Sequence, residues 1–169
     1  LDEIYLSIEP ENIYLALKYG TSKFLQQCGL KKMTIGLSGG IDSAVTAAMY
    51  ADIIGPENLL LLNLPSRYNS TTTQDLAYQL AKSLGANYAV LPIQESYEHT
   101  VSQLKTTPMT NLATGSHFNL TLSDLVKENI QARDRGARLI AAARAAFGGA
   151  LSCNSNKAEL AVGYATFYG

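Results

Sequence analysis

A nearly uninterrupted apolar run from Leu59 to Leu64 constrains the fold more than any other stretch of this chain. A strand with one exposed face alternates apolar and polar side chains, whereas a strand covered on both faces is apolar throughout. Shorter apolar runs at Met33–Leu37, Tyr88–Leu91 and Ala150–Cys153 alternate with stretches of helical periodicity. The alternation predicts an α/β fold in which a doubly wound parallel sheet is flanked by helices.

The segments between the predicted strands have the apolar spacing of helices. They predict helices over residues 10–28, 44–54, 70–84, 95–104 and 121–147. Thr121 is expected to cap the longest of these and Gly148–Gly149 to end it. Thr71 and Gln74 have the spacing of a capping box. Residues 105–120 are polar and aperiodic, which is typical of a lid, a partner contact or disorder.

Charge and cysteine content exclude several classes of function. The 169 residues include 13 Lys and Arg against 14 Asp and Glu, so no basic excess exists to bind nucleic acid. No apolar run reaches the ~18 residues of a membrane span. Two cysteines exclude a disulfide scaffold, and no Cys/His cluster suggests zinc. A reduced, cytoplasmic location is therefore expected.

The length fits one domain, and the ends suggest a piece of a longer polypeptide. The chain begins at Leu1 rather than Met and stops at Gly169, immediately after a patterned segment. We therefore expect residues 1–169 to be a single truncated domain.

A glycine-rich loop lies between the first predicted strand and the next helix. It reads Gly36-Leu37-Ser38-Gly39-Gly40-Ile41-Asp42-Ser43. Consecutive glycines let main-chain N–H groups approach an anion, and the helix N-terminus adds partial positive charge. Asp42 is unfavourable beside an anion unless a cation such as Mg²⁺ joins it. Since no Walker A lysine is present, we interpret the loop as a different phosphate site, the alternative being a tight turn with a serine cap.

A run of amide and charged residues lies in the predicted long helix. It reads Glu128-Asn129-Ile130-Gln131-Ala132-Arg133-Asp134-Arg135. Asn129 and Arg133 share one helical face, where an amide beside a guanidinium suits a carboxylate, a phosphate or a ribose. By pattern alone, a solvated face with Glu128–Arg135 and Asp134–Arg138 charge pairs is favoured.

The turn after the fourth predicted strand carries a third polar group, Asn154 to Glu159. Glu159 would bind the same cation as Asp42 if strands one and four are neighbours. The alternative is a helix cap at Asn154 or Ser155 with Glu159 in the first turn, and the turn taken alone favours that alternative.

Taken in order, these motifs resemble the synthetase domain of NAD⁺ synthetase. That family belongs to the ATP pyrophosphatases, whose shared Ser-Gly-Gly-x-Asp-Ser loop marks only the superfamily. Three further segments narrow the resemblance, namely Leu64-Pro65-Ser66-Arg67-Tyr68, Glu128 to Arg133, and Asn156 to Gly169. Their wording is closest to the glutamine-dependent branch, and residues 3–8 are similar to the linker that leaves a glutaminase domain.

The resemblance implies a role for each matching residue. The ATP site would comprise Gly36, Leu37, Ser38, Gly39, Gly40, Ile41, Asp42, Ser43 and Asn154. Asp42 and Glu159 would bind Mg²⁺, and Asn129, Arg133 and Glu159 would contact deamido-NAD⁺. Asn154 stands where the family usually has a threonine that touches ATP.

The resemblance also implies a Rossmann-like fold of the adenine nucleotide alpha hydrolase type, with the last strand missing from this chain. The family motif continues with an aspartate after Gly169. An N-terminal glutaminase domain and a C-terminal remainder would lie outside the chain, so the fragment alone is expected to be inactive. The whole protein is expected to be a homodimer or a higher homo-oligomer that needs no nucleic acid and no membrane.

The implied activity is that of a ligase that amidates deamido-NAD⁺ at the expense of ATP, releasing AMP and pyrophosphate, with ammonia supplied from glutamine. Two alternatives stay open. One is another ATP pyrophosphatase, of the amidotransferase or tRNA thiolation type. The other is a regulatory module that binds ATP without turnover.

Overall fold

The computed structural model of the protein describes residues 9–66 and 71–163. In chain order these residues form α1 (Pro10–Gln27), β1 (Met33–Gly36), α2 (Ile41–Ile54), a 3₁₀ turn (Pro56–Asn58), β2 (Leu59–Asn63), α3 (Thr71–Leu84), β3 (Asn87–Val90), α4 (Gln94–Thr106), β4 (Met109–Thr110), β5 (His117–Phe118), α5 (Asp124–Arg133), a π-helical segment (Asp134–Ile140), α6 (Ala141–Phe147), β6 (Ala150–Leu151) and α7 (Lys157–Val162).

Within the described residues, four parallel strands form a sheet in the order β3-β2-β1-β6. Residues 33–36 of β1 pair with residues 59–62 of β2, and Met33 and Thr34 pair with Ala150 and Leu151 on the other side. The predicted parallel sheet is confirmed, and so is the predicted neighbourhood of strands one and four.

Apolar side chains cover both faces of the sheet, as the apolar run predicted. One face carries Ile35, Leu59 and Leu61 and packs against Ala47 of α2 and Ala77 of α3. On the opposite face, Leu62 and Leu64 pack against Ile93 and against the π-helical segment and α6, which contribute Leu139, Ile140 and Ala143. Alternate residues of one strand thus serve two cores, which is why β2 tolerates few polar residues.

The predicted long helix is present, but two of its details differ from the prediction. Ser123 caps it instead of Thr121, because the Ser123 hydroxyl accepts a hydrogen bond from Val126 N–H (3.3 Å). A π-helical segment at Asp134–Ile140 interrupts the α-helical hydrogen bonding, a feature that apolar spacing does not reveal. The helix ends as predicted at Gly148, which has a φ of 83°.

Residues 105–120 contain a short hairpin in place of an irregular stretch. Strand β4 pairs antiparallel with β5, and Asn111 closes the turn by accepting hydrogen bonds from Ala113 N–H (3.0 Å) and Thr114 N–H (3.2 Å). An asparagine side chain that folds back on its own turn is a common local solution. The predicted disorder is therefore wrong, whereas the lid and the partner contact stay predictions.

The other helices are found within a few residues of their predicted bounds. The capping box predicted at Thr71 and Gln74 depends on the side chain of Thr71, which lies outside the described residues, as do Arg67 and Tyr68. In the described ranges, no helix combines the length and the apolar character needed to cross a bilayer.

Replacement of Leu61 by alanine tests the two-sided burial of β2. Leu61 is 0% exposed, so L61A should lower the free energy of unfolding by about 2–5 kcal/mol through lost transfer energy and a residual cavity. The control is L112A at the hairpin tip, where Leu112 is 94% exposed and the loss should stay within about 0.5 kcal/mol. Urea-induced unfolding measures both, and equal losses would contradict the assigned core.

Candidate functional site

The strand order creates a switch point beside β1. The chain moves outward from β1 to β2 and β3, and later returns to place β6 on the opposite side of β1. In such sheets the loops that leave the carboxyl ends of the strands on either side of a switch point flank a crevice, which is the usual ligand position. The glycine-rich loop and the turn at 154–159 both start at this crevice.

Hydroxyl groups hold the glycine-rich loop in a tight turn. The Ser43 hydroxyl accepts a hydrogen bond from Ser38 N–H (3.3 Å), donates to Gly40 O (3.0 Å) and lies 3.1 Å from the Ser38 hydroxyl. Ser38 Oγ in turn accepts from Gly40 N–H (3.2 Å). Ser43 is buried and Ser38 is exposed, so the network joins the loop surface to the interior and fixes the shape of the loop.

Gly39 allows a close approach that another residue would prevent. Its φ is 87°, and a Cβ at this position would collide with the main chain of Thr73 at the start of α3. The next residue, Gly40, is the N-cap of the 14-residue helix α2, and no side chain caps that end. The first N–H groups of α2 thus face the crevice side of the loop without a side-chain acceptor, an arrangement suited to an anion.

Asn154 reaches the glycine-rich loop from the neighbouring strand. Its side-chain amide donates to Gly36 O (3.2 Å), and its oxygen accepts from the Ser152 hydroxyl (3.2 Å). This contact places Asn154 beside the start of the glycine-rich loop. Its predicted contact with ATP stays a prediction.

Asn156 brings the two predicted metal ligands together. Its Nδ2 donates to Asp42 Oδ1 (3.1 Å), while its main-chain N–H donates to Glu159 Oε2 (3.1 Å). Asn156 Oδ1 also accepts from Ala158 N–H (2.9 Å), so Asn156 and Glu159 form a reciprocal cap on α7. The cap predicted at Asn154 or Ser155 is therefore wrong by one or two residues, because Asn156 has the spacing that reaches the first turn.

The oxygen donors around Asn156 fit Mg²⁺. Asp42 and Glu159 are exposed carboxylates in the first turns of α2 and α7, and both contact Asn156. Among the described residues, no group of three or more His, Cys, Asp or Glu side chains could hold a metal on its own. Two carboxylates that leave positions for water and phosphate oxygens are typical of magnesium sites and atypical of structural metal sites.

Arg133 lies in a different place from the loop. It lines a cavity of about 460 Å³ with Thr100 of α4 and, on the long helix, Ile130, Asp134, Ala137 and Arg138. The described residues that line this cavity include none from the glycine-rich loop. The predicted roles of Arg133 and Asn129 toward a dinucleotide stay predictions.

One of the two predicted charge pairs is present. Arg138 forms a salt bridge with Asp134, and the Ser96 hydroxyl donates to the same carboxylate. Arg138 is the main reason that the pKa of Asp134 lies below its ordinary value. The predicted Glu128–Arg135 pair is not found among the described residues, because Arg135 Nε donates instead to Leu64 O (3.1 Å) and its half-buried guanidinium is turned toward the sheet.

Sequence reasoning missed Asn63 and Asn156. Asn63 is buried at the end of β2 and donates to Leu37 O (2.7 Å). Its signal was a lone amide in an otherwise apolar run. Asn156 was noticed only as part of a polar turn. Its bonds with Ala158 and Glu159 are local, whereas its bond to Asp42 joins segments far apart in the chain, which sequence spacing does not give.

Comparisons with known proteins cover nearly the whole chain. Residues 13–169 match the family described as NAD synthase. The chain is 38% identical over 154 residues to the glutamine-dependent NAD(+) synthetase of Xanthomonas campestris pv. campestris, which covers 91% of this chain and 26% of that protein. The chain thus spans about a quarter of the length of the curated relatives it matches.

Solved structures with the same fold include two synthetases. The glutamine-dependent NAD⁺ synthetase from Acinetobacter baumannii in complex with ADP has a TM-score of 0.82 and 32% identity, covering 96% of this chain and 29% of that one. The NMN synthetase from Francisella tularensis has a TM-score of 0.81 and 25% identity, covering 96% and 61%.

Replacement of Gly39 by alanine tests the close approach in the loop. G39A should weaken the affinity of the full-length protein for MgATP at least tenfold, because a methyl group displaces either the loop or the main chain of Thr73. The matched control is G85A, where φ is also positive (71°) but no atom lies within 4 Å of the added Cβ. Both variants carry the ~1–2 kcal/mol cost of the left-handed backbone. If calorimetry gave equal nucleotide affinities for the two variants, the close approach would be irrelevant to binding.

Acid titration tests the Asp134–Arg138 pair. Because the folded-state pKa of Asp134 is depressed below 3.8, its contribution to stability is complete above the unfolded pKa and is lost as pH falls through the folded value. Wild-type protein should lose stability more steeply than D134N as the pH falls below about 4. The control is D124N, since Asp124 is paired with Lys127 but 95% exposed. Urea unfolding across this pH range measures the slopes, and an equal slope for wild type and D134N would contradict the assignment.

Proposed function

The chain belongs to the NAD synthase family, and from that premise we propose that it is the synthetase domain of a glutamine-dependent NAD⁺ synthetase. The observation that carries the proposal is the crevice beside β1, where the N-terminus of α2 has no side-chain cap and where two carboxylates share contacts with Asn156. Curated relatives with 38% identity carry the glutamine-dependent name. The missing three quarters of their length would include the glutaminase domain.

The proposed reaction activates a carboxylate with ATP. The nicotinate carboxylate of deamido-NAD⁺ attacks the α-phosphorus of ATP, the bond to the β-phosphate oxygen breaks, and pyrophosphate leaves. Ammonia then attacks the carbonyl carbon of the adenylate, loses a proton and expels AMP, which leaves the amide of NAD⁺. No enzyme nucleophile is needed, so catalysis consists of alignment and charge stabilisation.

The glycine-rich loop would hold the ATP phosphates through its main-chain N–H groups. The N–H groups of Ser38 and Gly40 already donate to the hydroxyls of Ser43 and Ser38, which fixes the loop, so the N–H groups at the start of α2 are the ones that would receive the phosphates. Asn154 would support the same loop through Gly36 O, and the second N–H of its side-chain amide would remain available to donate to ATP. The solved A. baumannii relative in complex with ADP supports an adenine nucleotide as the ligand.

Asp42 and Glu159 would hold Mg²⁺ at the phosphates. The ion supplies Lewis-acid stabilisation of the negative charge on the phosphoryl oxygens. When it is bound, the two carboxylates no longer oppose the approach of an anion. Asn156 links them, because it donates to Asp42 with its side chain and to Glu159 with its main chain.

The remaining roles extend the same proposal. Asn129 and Arg133 would contact deamido-NAD⁺, with Glu159 at the metal-facing side of that substrate. The hairpin within residues 105–120 is the candidate lid that protects the adenylate from water. The whole protein would be a cytoplasmic homo-oligomer, and this chain alone would be inactive because the glutaminase domain and the C-terminal remainder are missing.

The likeness to an NMN synthetase favours one specific rival. That structure is 25% identical to this chain and similarly folded, so a mononucleotide in place of the dinucleotide would use the same crevice. The other rivals are a different ATP pyrophosphatase and a regulatory module that binds ATP without turnover.

Product analysis of the full-length protein tests the proposal. With ATP, Mg²⁺, deamido-NAD⁺ and glutamine, we expect NAD⁺ and AMP in equal amounts. Formation of ADP would exclude the adenylation mechanism. A preference for the mononucleotide analogue would favour the NMN-forming rival, and nucleotide binding without any product would favour the regulatory module.

Isosteric amides at the two carboxylates test the metal site separately from the local fold. In D42N and E159Q an amide oxygen can still accept the hydrogen bonds from Asn156, but the charge is gone. We expect each variant to lower kcat/KM at least 100-fold and to need more Mg²⁺ for half-maximal rate, with an unchanged melting temperature. The matched control is Asp124→Asn, at an exposed carboxylate on α5. Wild-type turnover by E159Q would remove Glu159 from the proposed site.

A further inference from the structure

Asn63 is a buried amide in the apolar run that builds β2. It is 4% exposed, and its Nδ2 donates to Leu37 O at 2.7 Å. A buried amide of this kind is unfavourable unless it is hydrogen-bonded. The side chain thus binds the first residue that follows β1, at the beginning of the glycine-rich loop.

The amide of Asn63 adds one hydrogen bond to the pairing between β1 and β2. Leu37 N–H donates to Leu62 O at 2.8 Å, which continues the main-chain pairing one residue beyond β1. The carbonyl of the same residue then accepts from the Asn63 side chain. Leu37 is therefore held through both of its main-chain polar groups, and its side chain is 1% exposed.

A second amide holds the preceding carbonyl from the opposite side. Asn154, beyond β6, donates to Gly36 O at 3.2 Å. Two consecutive carbonyls at the start of the loop are thus fixed by side chains from the two strands that flank β1. Each carbonyl shares a peptide plane with the following N–H group, so this pair sets the direction of the N–H groups of Leu37 and Ser38.

The oxygen of the Asn63 amide indicates that stabilising the fold is not the main contribution of this side chain. Asn63 Oδ1 is buried and has no hydrogen-bond partner among the described residues. A buried acceptor without a donor is destabilising, and a leucine like its neighbours in β2 would avoid that cost. What leucine could not supply is the donor to Leu37 O.

We propose that Asn63 is a positioning residue for the glycine-rich loop, because its buried amide fixes the carbonyl of Leu37 and so orients the loop toward the nucleotide. The inference rests on the proposed function of the crevice as an ATP site. Asn63 acts here through Leu37 and not through contact with a substrate. Loss of the Asn63 amide should therefore weaken the affinity for ATP more than the affinity for the substrate that is amidated.

Steady-state kinetics of full-length Asn63→Leu test this role. Leucine has a similar volume but no donor, so we expect KM for ATP to rise about tenfold while KM for deamido-NAD⁺ changes less than twofold. Asn63→Asp keeps the shape of the side chain but places an acceptor oxygen against the carbonyl of Leu37. KM for ATP should therefore rise more in this variant than in Asn63→Leu. Calorimetry with MgATP alone should show the same order of affinities.

Thr34→Val is the matched control. Thr34 lies on β1, is 0% exposed, and its hydroxyl oxygen also has no partner among the described residues. This substitution again replaces a buried polar side chain in the central sheet, but it removes no contact with the loop. KM for ATP should be unchanged.

Each result bears on the inference. Equal losses toward both substrates, an unchanged affinity for ATP, or failure of both Asn63 variants to fold would overturn the positioning role. Faster hydrogen exchange confined to a peptide spanning residues 36–43 in Asn63→Leu would support it. If wild-type protein binds MgATP but makes no NAD⁺, the proposed function fails, and the affinities of the variants for MgATP still decide the role of Asn63.

Discussion

Parallel pairing of β1 with a strand on each side is the interaction on which the site depends. Because β2 and β6 both run beside β1, the loops that follow these strands leave the sheet at one edge. Apolar packing on both faces holds the three strands in register, so polar groups at the edge are positioned by the core beneath them. The crevice is a consequence of the strand order.

The chemistry at this edge is a balance of charge between main-chain dipoles and carboxylates. An uncapped helix N-terminus attracts an anion, while Asp42 and Glu159 repel one. A divalent cation resolves the conflict, since it binds the carboxylates and the anion together. Asn156 contacts both carboxylates through different atoms, so the spacing is already established in the protein before any ligand binds.

The long helix joins the edge of the sheet to a second surface. Across its π-helical segment, Arg135 turns toward the sheet and donates to Leu64 O, while Asp134 and Arg138 face α4 and line the cavity. Ile140 packs beneath the loop, against the position where Gly36 would carry a Cβ (3.1 Å). A ligand contacted by Arg133 would therefore bind to the same long helix that packs beneath the glycine-rich loop.

The sequence by itself determined the architecture and the position of the glycine-rich loop. Two-sided burial demands apolar strands, and consecutive glycines between a strand and a helix mark a tight turn, so both leave a local signal. The cap at Ser123 is a local contact with Val126, and apolar spacing did not distinguish it from Thr121. The contacts of Asn63 with Leu37 and of Asn156 with Asp42 were decided only by the tertiary structure. They join groups that lie far apart in the chain, and local periodicity carries no information about such partners.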